Sequence, residues 1–302
     1  MKFEFEKELL PLDEIEDIVF SGSYEDVHEN REIIIPEGVK EIAENAFRDF
    51  ECLERIKLPK SLVTISASAF SGCKNLKQVD FSYGLREIAD EAFSSCSSLM
   101  SVSLPDSVSV IGEGAFEGCA SLTRVKLSES VAAIGALAFA YCFNLDSVIV
   151  PDSCGMLGFN AFYSCFSLKE VKISDNIKIL EESVFEGCRS LETADLPTKL
   201  VKIGRRAFKN CTSLASIILP IGVEAIGFDA FAGCSALSRI ALPKDISNIE
   251  DEDVFSGCDS LSEISFGGTK DRWRELMSDK ELTVKRSDGT VRSPAVRFMN
   301  FE

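Results

Sequence analysis

The amino-acid sequence predicts a solenoid, α/β in type but mostly β. About ten coils of 23 residues stack as a right-handed superhelix with a parallel sheet and a cap at each end. Two observations lead to this prediction. Phenylalanine is over-represented, with 22 Phe against one Trp and four Tyr in 302 residues. Ten of these phenylalanines recur at a nearly fixed spacing, which is the pattern of a chain built from copies of one structural unit.

The periodic phenylalanines define the repeat. Every step between the first nine is 23 residues, and the tenth follows after 24. Leu stands six residues after each of them, and an aliphatic residue nine after, with Ala194 as the weak exception. A large apolar residue stands eleven after. The ten positions are Phe47, Phe70, Phe93, Phe116, Phe139, Phe162, Phe185, Phe208, Phe231 and Phe255.

Each repeat contains two extended segments. In the first, Leu-x-x-Val-x-Leu with Pro often following, apolar and polar residues alternate as in a strand that is buried on one face. The second, Val-x-x-Ile-Gly-x-x-Ala-Phe, turns a corner and supplies the aromatic ring. One such unit cannot bury its apolar groups alone, so the coils must stack and share a core. Parallel strands that step about 4.8 Å per coil predict a curved rod roughly 50 Å long.

The repeat resembles the BspA-like, or Treponema-type, class of leucine-rich repeats, whose theme is Leu-x-x-Ile-x-Leu-Pro followed by Ile-Gly-x-x-Ala-Phe-x-x-Cys. Ser121–Leu127 and Val108–Cys119 match this theme almost throughout, and the likeness extends from about Arg31 to Phe266. The segment from Phe266 to Leu276, with Ser287-Asp288-Gly289-Thr290, is similar to one that commonly closes such arrays. The resemblance implies a leucine-rich repeat fold and a surface or secreted interaction protein, often an adhesin, of bacteria or protists.

The pattern divides the chain into three parts. Residues 31–266 are the leucine-rich repeat solenoid. Residues 1–30, with ten Asp and Glu against two Lys, are an acidic N-terminal cap with at least one strand. Residues 267–302 are a C-terminal cap with a short helix near Lys270–Met277, anchored by Trp273, and a hairpin that turns at Asp288-Gly289. Caps are expected because the terminal coils of a solenoid otherwise expose core and unpaired strand edges.

Charge and hydropathy restrict the partners and the location. With 49 acidic and 32 basic residues the net charge is −17, so the chain lacks the basic surface that nucleic acid or an anionic membrane requires. No run of about 18 apolar residues predicts membrane insertion, and the segment after Met1 has no apolar signal core. The sequence as it stands therefore predicts a cytoplasmic protein, with the cell surface or secretion as the alternative if a leader was removed.

The cysteines are periodic as well, since nine of the eleven lie three residues after a periodic Phe. A metal ladder or a redox array is one interpretation, but zinc sites use close Cys-x-x-Cys pairs, which are missing here. We favour a packing role in a tight corner, because Phe50 occupies the same slot in the first repeat. Cys154 is expected to be buried, and Cys52, which lies off the grid, to be exposed.

Other signs of chemistry are weak. The single histidine, His28, lies in a polar acidic stretch where it is expected to be solvated. Gly267-Gly268-Thr269-Lys270 lacks the upstream glycine of a phosphate loop, and Glu250-Asp251-Glu252-Asp253 lacks the ligand spacing of a calcium loop, so it is interpreted as a solvated bulge. The sequence therefore predicts no catalytic residue, no cofactor and no metal, and thus a protein that is not an enzyme.

The outward face of the strands is the remaining candidate for a binding site. Residues eight and ten after each periodic Phe vary while the inward residues do not, which fits a binding surface, although drift would also produce it. No aromatic stripe favours stacking on bases or sugars. We therefore predict non-catalytic protein binding through the solenoid surface, with a cell-surface adhesin or structural surface protein as the alternative. The candidate contact residues are Arg55, Lys57, Asp80, Arg124, Lys126, Glu170, Lys172, Asp195 and Arg239.

Overall fold

A computed structural model describes residues 9–10, 31–250, 252–277 and 282–299. The chain is divided into two compact units between Ala161 and Phe162. This division falls inside the range that the sequence analysis treats as one solenoid. Because Phe139 and Phe162 keep the 23-residue step, the repeat pattern contains no sign of it.

The first unit contains two series of strands, one of three-residue strands and one of two-residue strands. The first series is β2 (Glu32–Ile34), β4 (Arg55–Lys57), β6 (Gln78–Asp80), β8 (Ser101–Ser103), β10 (Arg124–Lys126) and β12 (Ser147–Ile149). The second series is β1 (Leu9–Leu10), β3 (Glu41–Ile42), β5 (Thr64–Ile65), β7 (Glu87–Ile88), β9 (Val110–Ile111), β11 (Ala133–Ile134) and β13 (Met156–Leu157).

The second unit repeats both series and adds further elements near its C-terminal end. Its first series is β14 (Glu170–Lys172), β16 (Thr193–Asp195), β18 (Ser216–Ile218), β20 (Arg239–Leu242), β22 (Glu263–Phe266) and β25 (Ala295–Phe298). Its second series is β15 (Ile179–Leu180), β17 (Lys202–Ile203), β19 (Ala225–Ile226) and β21 (Asn248–Ile249). The additional elements are a 3-10 helix (Glu252–Phe255), α1 (Lys270–Leu276), β23 (Val284–Lys285) and β24 (Val291–Arg292).

Within each sheet, strands of the same series pair in parallel from one coil to the next, and β6 and β8 belong to different sheets. Arg55 pairs with Gln78 and Val125 with Val102, so the register advances by one repeat at each step. In the first unit, all seven second-series strands form one sheet. This arrangement confirms the predicted parallel β-solenoid with coils of about 23 residues.

The inward side chains of the strands and the periodic phenylalanines form the core. In β4, Ile56 is buried between exposed Arg55 and Lys57, as the alternation of apolar and polar residues requires. The phenylalanine rings stack face to face, with centroids 5.0–5.4 Å apart in the first unit and 5.5–5.9 Å apart in the second. Each ring therefore packs against the rings of the neighbouring coils and is shielded from solvent by them.

The corner that holds each Ala-Phe pair contains left-handed residues that the sequence pattern did not reveal. In one coil Ser68 and Gly72 have φ of 54° and 76°, and in another Leu137 and Tyr141 have φ of 57° and 60°. A left-handed conformation costs a non-glycine residue roughly 1–2 kcal/mol. It turns the backbone so that the N–H of a periodic Phe donates to the carbonyl of the residue before the Phe of the next coil, as in Phe47 to Ala69 at 2.7 Å.

The predicted C-terminal elements are present, together with one strand that was not foreseen. Helix α1 begins at the N-cap Thr269, and its buried Trp273 packs on Phe266 with ring centroids 5.2 Å apart. Strands β23 and β24 pair antiparallel, as the turn at Gly289 predicted. The chain then returns as β25, which pairs in parallel with β22 and extends the first-series sheet. Sequence reasoning missed β25 because it lies beyond the repeat.

Of the predicted N-terminal cap, residues 1–30, only Leu9–Leu10 lies within the described residues. It forms β1, which pairs in parallel with β3. His28 lies outside the described residues.

At some glycines the backbone of the preceding coil is so close that there is no room for a side chain. A Cβ atom on Gly135 would lie 2.6 Å from both the backbone nitrogen of Glu113 and the carbonyl carbon of Gly112 in the preceding coil. We therefore expect Gly135→Ala to lower the free energy of unfolding by about 1–3 kcal/mol, as overpacking does elsewhere. Urea titration followed by circular dichroism measures this change.

Gly155→Ala is the matched control for this prediction. A Cβ atom there meets nothing within 4 Å, so the variant should keep or slightly raise the free energy of unfolding, since alanine restricts the unfolded chain. Equal losses in the two variants would show that close approach of the coils does not determine the glycine positions.

Candidate protein-binding face

We call the outward side chains of the first-series strands the strand face. In the first unit this face carries five of the candidate residues, and all five are exposed. Register brings Arg55 beside Gln78 and Lys57 beside Asp80. Arg124 lies beside Ser101 on one side and Ser147 on the other, and Lys126 lies beside Ser103. Both cationic pairs, Arg55 with Lys57 and Arg124 with Lys126, therefore lie on the first unit. The neighbours of the first pair include an acidic residue, and the neighbours of the second pair are serines.

Four cations of this face have no ion-pair partner among the described residues, although one of them, Lys57, lies beside Asp80. Within the described residues, Arg55, Lys57, Arg124 and Lys126 form no salt bridge. Nearby cations behave differently, since Arg31 and Lys77 both contact the carboxylate of Glu54 at 2.9 Å and thereby lower its pKa. Asp80 accepts a hydrogen bond from Gln78 at 2.8 Å. The strand face thus presents positive charge that remains available to a partner.

In the second unit the charges on the strand face compensate one another. Lys172 lies beside Asp195, and Glu170 lies beside Thr193. Arg239 lies beside Glu263, whose carboxylate contacts the guanidinium of Arg297 at 3.2 Å. All four candidate residues of this unit, including Asp195, are exposed, but they alternate in sign and present no uniform surface.

Exposed isoleucines on the strand face were not among the sequence candidates. Ile34 is 63% exposed, Ile149 65% and Ile218 77%, although each is a large apolar residue. Ile34 lies directly beside Lys57. A signal for them was present in the sequence, because each occupies an outward position where most coils carry a polar or charged residue.

The periodic cysteines are part of the core. All nine are buried, and the thiols of eight of them donate to the carbonyl of the Phe one coil earlier. Cys73 does so to Phe47 at 3.0 Å, and Cys211 to Phe185 at 3.2 Å. A thiol is small enough for this corner and satisfies a carbonyl there, which supports the packing role. Cys154 is buried as predicted, whereas Cys52, expected to be exposed, is half-buried.

Burial also keeps the thiols of Cys73, Cys119 and Cys188 protonated. Desolvation raises the pKa of Cys73 to about 12, with a contribution from the nearby carboxylate of Asp49. Desolvation likewise raises the pKa values of Cys119 and Cys188. Since the thiolate is the nucleophile and the metal ligand, these groups are poorly suited to either role.

One residue of the acidic segment at the one-residue insertion, Glu250, contacts neighbouring coils. Its carboxylate contacts the ammonium of Lys202 at 3.3 Å and accepts the backbone N–H of Phe228 at 3.3 Å. Glu250 is exposed, which fits the interpretation as a solvated bulge, and it also links coils of the second unit. Among residues 9–10, 31–250, 252–277 and 282–299, no group of three or more His, Cys, Asp or Glu side chains is arranged to hold a metal ion.

Comparison with known proteins agrees with the repeat geometry. A family model described as the BspA type leucine rich repeat region matches six copies over residues 13–146, 87–215 and 132–262. No curated protein sequence matches significantly. None of the helices in the described part of the chain is long and apolar enough to cross a membrane.

Several solved structures are similar to the chain. A leucine-rich cell surface protein of Faecalibacterium prausnitzii is 28% identical over 81% of both chains, with a TM-score of 0.48. A leucine-rich repeat protein of Treponema pallidum is 31% identical over 62% of this chain and 79% of its own, with a TM-score of 0.47. One from Eubacterium ventriosum is 18% identical over 84% and 89%, with a TM-score of 0.50, and supports the fold alone.

The buried thiols predict a loss of stability at alkaline pH. A folded-state pKa above the unfolded value of about 8.5 means that the folded protein retains a proton that the unfolded chain loses. The stabilisation by Cys73 is therefore complete below about pH 8.5 and is lost as the pH rises towards about 12. Over that interval the free energy of unfolding of the unmodified protein should fall with pH. In Cys73→Ala we expect this fall to be smaller by about 1.4 kcal/mol per pH unit. Urea titrations at pH 7, 9, 10 and 11 measure it.

Val131→Ala serves as the control because it removes a fully buried group that does not titrate. It should lower the free energy of unfolding by a similar amount at every pH. If Cys73→Ala leaves the pH dependence unchanged, the thiol is ionised in the folded protein and the packing role is refuted.

Proposed function

Since the chain belongs to the BspA-type leucine-rich repeat family, we propose that it binds another protein through the strand face of its first unit and catalyses no reaction. Stacked repeats present long surfaces whose outward residues vary without disturbing the shared core. The strand face is such a surface, because its inward residues are fixed by packing and its outward residues are not.

The observation that supports this proposal most directly is the unpaired charge of the first unit. Arg124 and Lys126 are the only basic residues between Glu87 and Ala161. Nine acidic residues lie in the same range, namely Glu87, Asp90, Glu91, Asp106, Glu113, Glu117, Glu129, Asp146 and Asp152. Both cations nevertheless lie on the strand face without a salt bridge to any described residue. A purely structural surface gains nothing from this arrangement, whereas a binding surface gains steering and specificity.

Exposed apolar side chains beside charge support the same face. Ile34 and Ile149 are both more than 60% exposed, and each lies on a strand next to a cationic one. Interfaces combine such apolar anchors with polar groups that fix orientation. The second unit supports the proposal less, because Lys172 and Asp195 offset each other.

An adhesin or structural protein at the cell surface is the second candidate, and family membership favours it. The adhesin differs from the binding protein proposed first in its cellular location and not in the surface that binds. Eleven free thiols fit a reducing compartment better than an oxidising one. Labelling intact cells with a membrane-impermeant biotin reagent separates the two locations: labelling supports the adhesin, and protection supports an intracellular binding protein.

A bulky residue in the middle of the strand face should block binding. Ser103 is exposed on β8, between the two cationic pairs, and Ser103→Trp adds a large ring there without changing charge. We expect the tagged chain to capture at least one protein from the native organism, and Ser103→Trp to reduce its recovery at least tenfold. Quantitative mass spectrometry of the eluates measures the recovery.

Ala132→Trp is the matched control, since Ala132 is exposed but lies just before β11, in the second series. It should leave capture unchanged, and circular dichroism should show that both variants are folded. Capture that persists with Ser103→Trp, or that is lost equally with Ala132→Trp, would contradict a role for the strand face.

A further inference from the structure

We propose that the strand face of the first unit recognises an extended acidic polypeptide segment, with two acidic residues about four positions apart and an apolar residue outside each. This inference rests on the proposed function and specifies the chemistry of the partner. It follows from the order of side chains along the stack of coils. From β2 to β12 the face presents Glu32 and Ile34, Arg55 and Lys57, Gln78 and Asp80, Ser101 and Ser103, Arg124 and Lys126, and Ser147 and Ile149.

The two cationic pairs set the positions of the acidic residues in the partner. We call Arg55 with Lys57 the first rung and Arg124 with Lys126 the second rung. Three coils separate them, and the second-series strands of these coils pair without a break, so a spacing of about 4.8 Å per coil places the rungs about 14 Å apart. An extended segment rises about 3.3 Å per residue and covers this distance in about four residues. Two carboxylates at that spacing reach both rungs at once.

The surroundings of the rungs indicate which of them contributes more. Glu32 and Gln78 lie on either side of Arg55, and Asp80 lies beside Lys57, so acidic neighbours weaken the field of the first rung. The neighbours of the second rung are Ser101, Ser103 and Ser147. Hydroxyl groups can donate to a carboxylate and carry no competing charge. The second rung is therefore the stronger site for an acidic side chain.

The exposed isoleucines set the apolar positions. Ile34 lies one coil before the first rung, and Ile149 lies on the strand that follows the second rung. With exposures of 63% and 65%, both can lose apolar area to a partner. Side chains of an extended segment alternate between its two faces, so a leucine two positions outside each acidic residue points to the same face as that residue and reaches these isoleucines. The face thus carries the same neighbouring pair, a cationic rung and an isoleucine, at each of its ends.

Synthetic peptides test this inference directly. Three fluorescent peptides of equal length are titrated with the full chain and followed by fluorescence anisotropy. One contains Leu-Ser-Glu-Ser-Ser-Ser-Glu-Ser-Leu, which puts both Glu and both Leu on one face of an extended chain. The second has the same composition with the two Glu adjacent, and the third carries Lys in place of both Glu. We expect the first to bind at least tenfold more tightly than the second, the third not to bind, and the affinity of the first to fall as salt is raised.

Charge-removing variants identify the contact. Arg124→Gln with Lys126→Gln should weaken binding of the first peptide about tenfold, and Arg55→Gln with Lys57→Gln should weaken it less. Arg48→Gln with Arg86→Gln changes the net charge equally but lies outside the strand face, and should leave binding within about twofold. Equal binding of the two acidic peptides, or equal losses in the three double variants, would overturn the inference.

The outcome is separable from that of the proposed function. If Ser103→Trp abolishes capture of a protein while none of the acidic peptides binds, protein binding at the strand face stands and the acidic partner is refuted. If the first peptide binds and the Arg124/Lys126 variant loses it, both stand. If Ser103→Trp leaves capture of the protein unchanged and the first peptide does not bind, both the proposed function and the acidic partner are refuted.

Discussion

The stacking of one phenylalanine ring per coil is the constraint on which the other features depend. Phe116 is fully buried, but only because the rings of Phe93 and Phe139 cover it at 5.4 and 5.3 Å. A ring in an isolated coil would have no such cover. The step between coils must therefore match both the centroid separation of offset-stacked aromatic rings and the spacing of hydrogen-bonded strands. Both distances lie near 5 Å, which is why one repeat can satisfy them together.

This common step explains the composition of the corners. Gly135 is too close to the preceding coil to carry a side chain. Cys73 is fully buried in its corner, and its thiol donates to the carbonyl of Phe47. Left-handed residues such as Leu137 accept backbone strain so that the Phe N–H meets its partner. Because the core fixes these positions, the outward residues of the strands are the ones free to acquire a binding function.

The sequence predicted the parts of the structure that repeat. Periodicity predicts the coil length, the strand positions, the buried phenylalanines and the cysteine corner, because equivalent residues of every repeat lie in the same environment. It did not predict what occurs once or depends on neighbours. Strand β25 lies outside the repeat, and the left-handed corners hold residues as different as Ser68 and Tyr141. At the candidate site the sequence identified the outward cations, but only the register distinguishes Arg124, which lies between two serines, from Arg239, which lies beside Glu263.

Equilibrium unfolding of Phe116→Ala tests the stacking constraint most directly. Removing a fully buried ring that two neighbours cover should lower the free energy of unfolding by about 3–5 kcal/mol. Tyr83→Ala, at a residue that is 84% exposed, should change it by less than about 0.5 kcal/mol. A loss for Phe116→Ala as small as that for Tyr83→Ala would show that the coils do not depend on the aromatic column.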